Sequence, residues 1–407
     1  MANTNRVDPD LQFIKNVTSS GGDTLKKCYQ CATCSTICPI SPDDKPFPRK
    51  EMLWAQWGLK NKLVKDPDVW LCHQCSDCTA YCPRGAKPGE VMGALRKASM
   101  IHYSPIPIIA KLASSFGGMI VLFVIPVVVL LLGLTLNEKL DAFLGGQINP
   151  EEGRIVFSYI FPQLSLVDPT FIGAVFFAVL SAFVGIKKFW SDINATTVPT
   201  ENKMDLKSSI IATVKEILAH SKFKECGESK DRTTAHQLVF WAFVGLFIVT
   251  NSVLAIHWLN HFGVTFLGPD TPLAQYHPVK ILGNVSGIAL ILGILMIIGN
   301  RMKAAEQRGM GSFFDWSLIL IIGGVGVTGF LAEIVRIIGA AKPAYFVYFL
   351  HLMFVFYLFA FMPYTKFAHI VYRTAALVYV KYTGRELVME PSAVYEQKEA
   401  EAEEAAA

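Results

Sequence analysis

Charge is scarce in this chain. Asp, Glu, Lys and Arg make up 17% of its 407 residues, against about 25% in an average soluble protein. With 52% hydrophobic residues and a mean hydropathy of +0.38, that scarcity excludes a disordered chain and a coiled coil, and it argues against an ordinary soluble enzyme. Cysteine nearly vanishes after Cys82, where only Cys226 remains, so a disulfide scaffold is excluded. No C-x-x-C-H occurs, which excludes covalent c-type haem attachment. Met1–Asp10 lacks the apolar run of a secretory signal, so the polar segment that follows is expected to stay in the cytoplasm.

What is present is unevenly placed. Residues 1–113 are polar and hold eight of the nine cysteines, residues 114–385 carry long apolar runs, and the Glu-Ala-rich residues 386–407 read as a solvated acidic tail. Six runs reach the roughly 20 apolar residues needed to cross a bilayer: Gly117–Leu136, Thr170–Trp190, His236–Trp258, Ile281–Asn300, Trp316–Ile338 and Tyr345–Pro363, the last continuing as helix through His369. Buried helices of a soluble protein fail as an explanation on length and number. The Lys187–Arg232 connection carries nine Lys and Arg, whereas Leu259–Val279 carries none. By the positive-inside rule both termini and the cysteine-bearing segment are therefore cytoplasmic. Ile155–Val167, with Phe157, Tyr159, Ile160 and Phe161, fits either a helix on the outer membrane surface or a cover over the bundle.

Two cysteine runs share one spacing. Cys28, Cys31, Cys34 and Cys38-Pro39 form the first, and Cys72, Cys75, Cys78 and Cys82-Pro83 the second. Each is C-x2-C-x2-C-x3-C-P, in which three thiolates wrap one iron–sulfur cubane and the fourth reaches a second. The expected ligand sets are Cys28, Cys31, Cys34 and Cys82 for one [4Fe–4S] cluster, and Cys72, Cys75, Cys78 and Cys38 for the other. Structural zinc would leave half of these cysteines unused. Cys226 reads as a chance thiol. Apolar stripes over Pro48–Lys62 and Glu90–Ile101 predict helices, hence an α-helical ferredoxin rather than a β-hairpin one.

The histidines supply the second chemistry. His351 and His369 are 18 residues apart, which on one continuous helix puts them on one face and about 27 Å apart, nearly the hydrocarbon thickness. His236 and His257 bracket the third run, 21 residues and about 31 Å apart. Because the third and sixth runs are antiparallel, His236 matches His369 in depth and His257 matches His351. Each pair is expected to clamp one haem b. The alternative is interfacial histidines at helix ends. His261 rivals His257. His277 reads as a surface or quinone-site residue, and His73, His102 and His220 as non-ligands. Glu333 and Arg336 read either as an i,i+3 ion pair or, with His261, as part of a quinone site. The Gly283-x-x-x-Gly287 pair and the glycines at 323, 324, 326 and 329 allow close helix approach or room for a flat macrocycle.

The segment HLMFVFYLFAFMPYTKFAH resembles the final haem-binding helix of the gamma chains of respiratory nitrate reductases, with the same spacing of its two histidines. One departure is Leu246, which stands ten residues after His236, where that family places its second histidine. Residues 21–100 resemble the two-cluster C-type component of heterodisulfide reductase. The two fused in this order look like the C-type component of the quinone-interacting membrane-bound oxidoreductase (Qmo) complexes of sulfate reducers, in effect a fusion of the C-type and E-type components of heterodisulfide reductase. That resemblance implies menaquinone as substrate, A-like and B-like partner proteins carrying flavin and iron–sulfur centres, and electron delivery toward adenylylsulfate reductase. The CCG motifs of heterodisulfide cleavage are absent.

The expected architecture is therefore all-α: a two-cluster ferredoxin domain (1–113), a six-helix transmembrane cytochrome b bundle (114–385) and the tail. The expected function is quinone-linked membrane electron transfer, with lipid and quinone but no nucleic acid as partners. The alternatives are the membrane component of a heterodisulfide reductase-type complex, or a transporter with a metal-binding regulatory domain.

Overall fold

The computed structural model describes residues 8–385 apart from 42–44, 150, 196–199, 201–202, 221–231, 267–270 and 306–308. Cys226 and the acidic tail lie outside the described residues. The fold is all-helical. Among the described residues there is no strand, only an isolated bridge between Asn149 and Arg154.

Among the described residues, six helices are long and apolar enough to cross a membrane: Phe116–Leu136, Gln163–Asn194, Arg232–His261, Pro278–Lys303, Phe313–Ile338 and Ala341–Ala360. They are called the first to sixth spans below. The third and fourth pair closely, as do the fifth and sixth, and the fourth packs on the fifth. The first and second lie against the sixth, which makes the sixth the most enclosed span. Side chains on the outside of the bundle, such as Phe176 and Phe183, are exposed, as lipid-facing positions require. Ile155, Ile160, Phe161 and Leu166 are buried against Ala344, Tyr345 and Phe349, so the aromatic stretch before the second span covers the bundle.

The sixth span departs from the sequence reading. It stops at Ala360, passes through two tight turns, Met362–Tyr364 and Lys366–Ala368, and restarts as a separate helix over His369–Thr383. Pro363 has no N–H to donate, and its ring clashes with the preceding turn. The continuous five-turn spacing expected between His351 and His369 is therefore not present. Pro48–Lys62 likewise divides into Arg49–Gln56 and Lys60–Val64. Gly58 breaks it at φ +67°, where a Cβ would meet the Asp10 backbone nitrogen at 2.9 Å.

The last helix closes the core of the cysteine-bearing part. Tyr372, Ala376, Tyr379 and Val380 share one buried cluster with Leu25, Met52, Trp70 and Leu95. Trp70 stacks on Tyr372 at 4.9 Å. A buried charge cluster locks the same contact. Lys50 Nζ lies 2.8 Å from Glu51 and 3.0 Å from Asp66 and also pairs with Asp68, while Arg385 reaches Asp68 at 2.7 Å. Burial opposes the charge on Lys50, but the three carboxylates outweigh it and hold its pKa above the lysine range. Burial pushes Glu51 well above the carboxylate range despite Lys50. Replacing Lys50 by Met leaves these carboxylates facing one another in a dry site. The expected loss is about 3–5 kcal/mol, read as a lowered midpoint in thermal unfolding of the full chain.

Candidate functional site

The two cysteine motifs adopt one backbone shape. Gln30 and Ala32 in the first, and Gln74 and Ser76 in the second, all have positive φ, at 62°, 70°, 51° and 69°. Left-handed backbone costs a non-glycine residue about 1–2 kcal/mol. Its recurrence at matching positions marks a constraint imposed by a shared task. The geometry curls each loop around its thiols, and a short helix follows, Thr33–Thr36 or Asp77–Ala80.

Cys28, Cys31, Cys34 and Cys82 line one small cavity with Arg49 and Arg84. Burial first, then the neighbouring Cys28, Cys31 and Cys82, pushes the Cys34 thiol up to about 11. Burial raises Cys38 as well, and the thiols acting on it are Cys72, Cys78 and Cys75. The fourth cysteine of each motif thus stands among the first three of the other. Donors also reach the sulfurs: Gln30 Nε2 to Cys28, the Gln74 amide to Cys72 and the Ala86 amide to Cys82, each at 3.4 Å. Such hydrogen bonds favour thiolate. Four convergent sulfurs in each of two sites fit a [4Fe–4S] cubane, which would supply one-electron redox chemistry there.

A cavity of about 1740 Å³ runs through the bundle. At one end it is lined by Cys72, Gln74 and Cys75, deeper in by His236, His369 and His351, and at the far end by Lys280, Glu333 and Arg336. Small residues give it width, with Gly283, Gly287, Gly326 and Gly329 on its wall. A Cβ on Gly329 would stand 3.0 Å from the His351 ring, and one on Gly287 2.8 Å from Phe330.

The protein sets the tautomer of two of these histidines. His369 Nδ1 donates to the Lys366 carbonyl at 2.8 Å. His351 Nδ1 lies 3.2 Å from Thr328 Oγ1. The Thr328 hydroxyl already donates to the Gly324 carbonyl at 2.5 Å, so it accepts from His351. Each ring therefore carries its proton on Nδ1 and keeps a bare Nε2 for a metal. Burial first, then Lys366 and His236, holds His369 down to about 3, so the imidazole is neutral. His236 and His369 face one cavity, and their donor chemistry fits the axial ligation of a haem.

Of the far pair, one member reaches the cavity. His351 lines the cavity and His257 does not. His257 stands within electrostatic range of Asp168, which also accepts from Trp258 Nε1 at 3.0 Å. His261 packs against Trp258 and Phe262, away from the cavity lining. Glu333 pairs with Arg336 at 3.1 Å and with Lys280 at 2.7 Å, and Gln275 donates to it at 2.5 Å. His277 caps the fourth span through the Val279 amide at 3.3 Å. His102 lies 3.9 Å from Asp192, and His73 lines the cavity at its cysteine end.

Two groups of residues are not apparent from the sequence. His220 ends a helix over Leu206–Ala219 and is buried 5.4 Å from the His236 ring; the stripe Ile210, Thr213, Ile217 is the available signal. The second group is a set of three arginines. Arg373 donates to the carbonyls of Leu71 at 3.1 Å and Cys72 at 2.7 Å, Arg96 to Val69 at 2.7 Å and also to Cys72, and Arg232 to Gln74.

Comparison with known proteins gives two matches along the chain. A 4Fe-4S dicluster domain covers residues 24–86, and citrate utilization protein B covers residues 148–387, more than half of the chain. The chain belongs to the citrate utilization protein B family. That protein from Escherichia coli is 26% identical over 299 residues, 71% of this chain and 73% of its own length. The E-type component of dihydromethanophenazine:CoB–CoM heterodisulfide reductase from Methanosarcina barkeri is 26% identical over 49% of this chain and 74% of its own. The C-type component of H2:CoB–CoM heterodisulfide,ferredoxin reductase from Methanothermobacter marburgensis is 34% identical over 21% of this chain. The chain spans about half, 47%, of that relative. No solved structure matches. Together with the six apolar helices, these relatives make this member of the family a multi-pass membrane protein with two [4Fe–4S] clusters and a component of an oxidoreductase complex.

Replacing Arg373 by Leu removes the side-chain donor of the Leu71 carbonyl and leaves the Cys72 carbonyl with Arg96 alone, at about 1–3 kcal/mol. In metal-stripped protein, alkylation of Cys72 and Cys75 should accelerate about tenfold or more, while Cys31, already exposed, reacts as before. Mass spectrometry of the alkylated peptides reads this directly.

Proposed function

We propose that the chain passes electrons between menaquinone in the membrane and cytoplasmic partner proteins carrying flavin and iron–sulfur centres, using two haems b and two [4Fe–4S] clusters. The observation that carries this reading is the single cavity lined both by the second cysteine motif and by His236, His369 and His351. The proposed cluster ligands are Cys28, Cys31, Cys34 and Cys82, and Cys72, Cys75, Cys78 and Cys38. The proposed inner haem ligands are His236 and His369. The outer haem rests on His351, and its second ligand, His257, has to leave Asp168 and turn into the cavity. Glu333 and Arg336, at the far end of the lining, are the quinone-site candidates. The excess of Lys and Arg in the Lys187–Arg232 connection supports placing the cysteine motifs on the cytoplasmic side.

A Qmo-type setting, with electrons delivered toward adenylylsulfate reductase, follows from the fused C-like and E-like halves. The similarity to heterodisulfide reductase components favours a second setting, the membrane component of such a complex, with the disulfide chemistry on another protein. The name of the Escherichia coli relative raises a third, with a partner that acts in citrate utilization. Neighbouring genes separate them: paired flavoproteins, a CCG-containing protein, or enzymes of citrate breakdown.

The purified full chain should show the Soret and α bands of haem b in a reduced-minus-oxidised spectrum and bind about eight non-haem irons, four per cluster. His369→Ala should remove the inner haem and leave the outer one. A colourless or zinc-loaded protein overturns the reading in favour of a transporter with a metal-binding domain. Loss of neither haem in His369→Ala overturns the inner-site assignment.

A further inference from the structure

The two cysteine motifs do not face the same way. The second is held by Arg232, at the start of the third span, and by Arg373 of the last helix, and shares the histidine-lined cavity. The first lines a cavity built entirely from residues 28–88, with no membrane helix contributing. Its surface is open. Cys31 is exposed, and Tyr29 is 69% exposed. The Arg84 guanidinium lies over the Tyr29 ring at 4.2 Å. Gln56 fixes the loop from beneath by donating to the carbonyls of Leu25 at 3.1 Å and Cys28 at 2.9 Å.

Among the described residues of 26–49 and 81–88, every charged side chain is basic. Lys26, Lys27 and Arg84 are exposed around the loop, and Arg49 acts on Cys31. Asp23, the nearest exposed carboxylate in the same stretch, sits instead on the side of Glu90 and the large cavity. A rigid Tyr–Arg pair beside a small cationic field is the composition of a protein-docking surface, with aromatic and Arg anchors at its centre and charge to orient the approach.

We infer that the face formed by Lys26, Lys27, Tyr29 and Arg84 is where an acidic soluble protein with its own one-electron redox centre docks on the chain. The inference rests on the cluster reading above and adds an order: the second motif serves the membrane side, and the first serves the soluble partner. Exposure of Cys31 brings the first centre to the docking plane, whereas the second is screened by the bundle.

The test uses the full chain in detergent with a small acidic ferredoxin as probe. Binding is measured by calorimetry at low and high ionic strength. The triple variant K26E/K27E/R84E should bind about tenfold or more weakly at low salt, with the difference shrinking as screening rises. K203E/K207E/K215E makes the same charge change in the connection after the second span and should bind as the unmodified protein does. No binding by the unmodified protein, equal binding by the first variant, or equal loss in the second overturns the docking face. Iron content and visible absorbance are recorded for each sample. Absence of iron from the unmodified protein overturns the cluster reading instead, and retained iron in K26E/K27E/R84E shows that its effect is not unfolding.

Discussion

Three guanidinium groups hold one short loop, and the site depends on that clamp. The carbonyls of Leu71, Cys72 and Gln74 lie at and beyond the C-terminal end of the short helix Asp68–Leu71, where no further turn supplies donors, and buried carbonyls need donors. Arg96 comes from the cysteine-bearing part, Arg232 from the start of the third span and Arg373 from the last helix. Arg232 stands one helical turn before His236, and Arg373 one turn after His369. The same two helices therefore present an arginine to the cysteine loop and a histidine to the cavity. Fixing the loop fixes the depth and rotation of both imidazoles. It also places positive charge beside thiolates that burial alone would disfavour, since Arg96 and Arg373 both oppose the effect of burial on Cys72.

The cysteine chemistry is legible in the sequence because its geometry is local. Spacings of three and four residues decide how thiols meet, and the exchange of the fourth cysteine follows from two such motifs side by side. The left-handed residues that bend the loops are not legible, because Gln30 and Gln74 carry no glycine-like signal. The six spans are legible from apolar length, an all-or-none demand of the bilayer. The helix over Leu206–Ala219 is not, since its apolar stripe is interrupted and lies inside a long polar connection. Only that interrupted stripe marks His220, which the helix delivers to His236.

The histidines show where periodicity stops being sufficient. Spacing alone runs one helix from His351 to His369, yet Pro363 ends it and two tight turns intervene. Both residues still reach the cavity, because Lys366 turns back to accept from His369 and is itself anchored by an ion pair to Asp315. Depth alone matches His257 to His351. Rotation is a separate matter: in the structure the third span presents Leu246, Thr250 and Leu254 to the cavity and sets His257 within electrostatic range of Asp168. A residue's height is fixed by its number along the helix, but its direction is fixed by which neighbours the helix packs against.

Charge along the cavity obeys a simple rule of depth. Among the described lining residues, the charged side chains nearest the histidines form two groups. Arg96, Arg232, Arg373, Asp315 and Lys366 lie at the cysteine end, and Asp168, Lys280, Glu333 and Arg336 at the far end. Between them the wall is uncharged, made of glycine, aliphatic and aromatic residues with Thr250, Asn251 and Asn284, and His351 is kept in one tautomer by a threonine rather than by a carboxylate. An ion near mid-membrane would need a partner to offset its desolvation. A neutral imidazole with a bare Nε2 needs none, and it remains a good metal ligand. Histidine thus places a potential metal ligand in the apolar middle of the bundle while formal charge stays at the two ends.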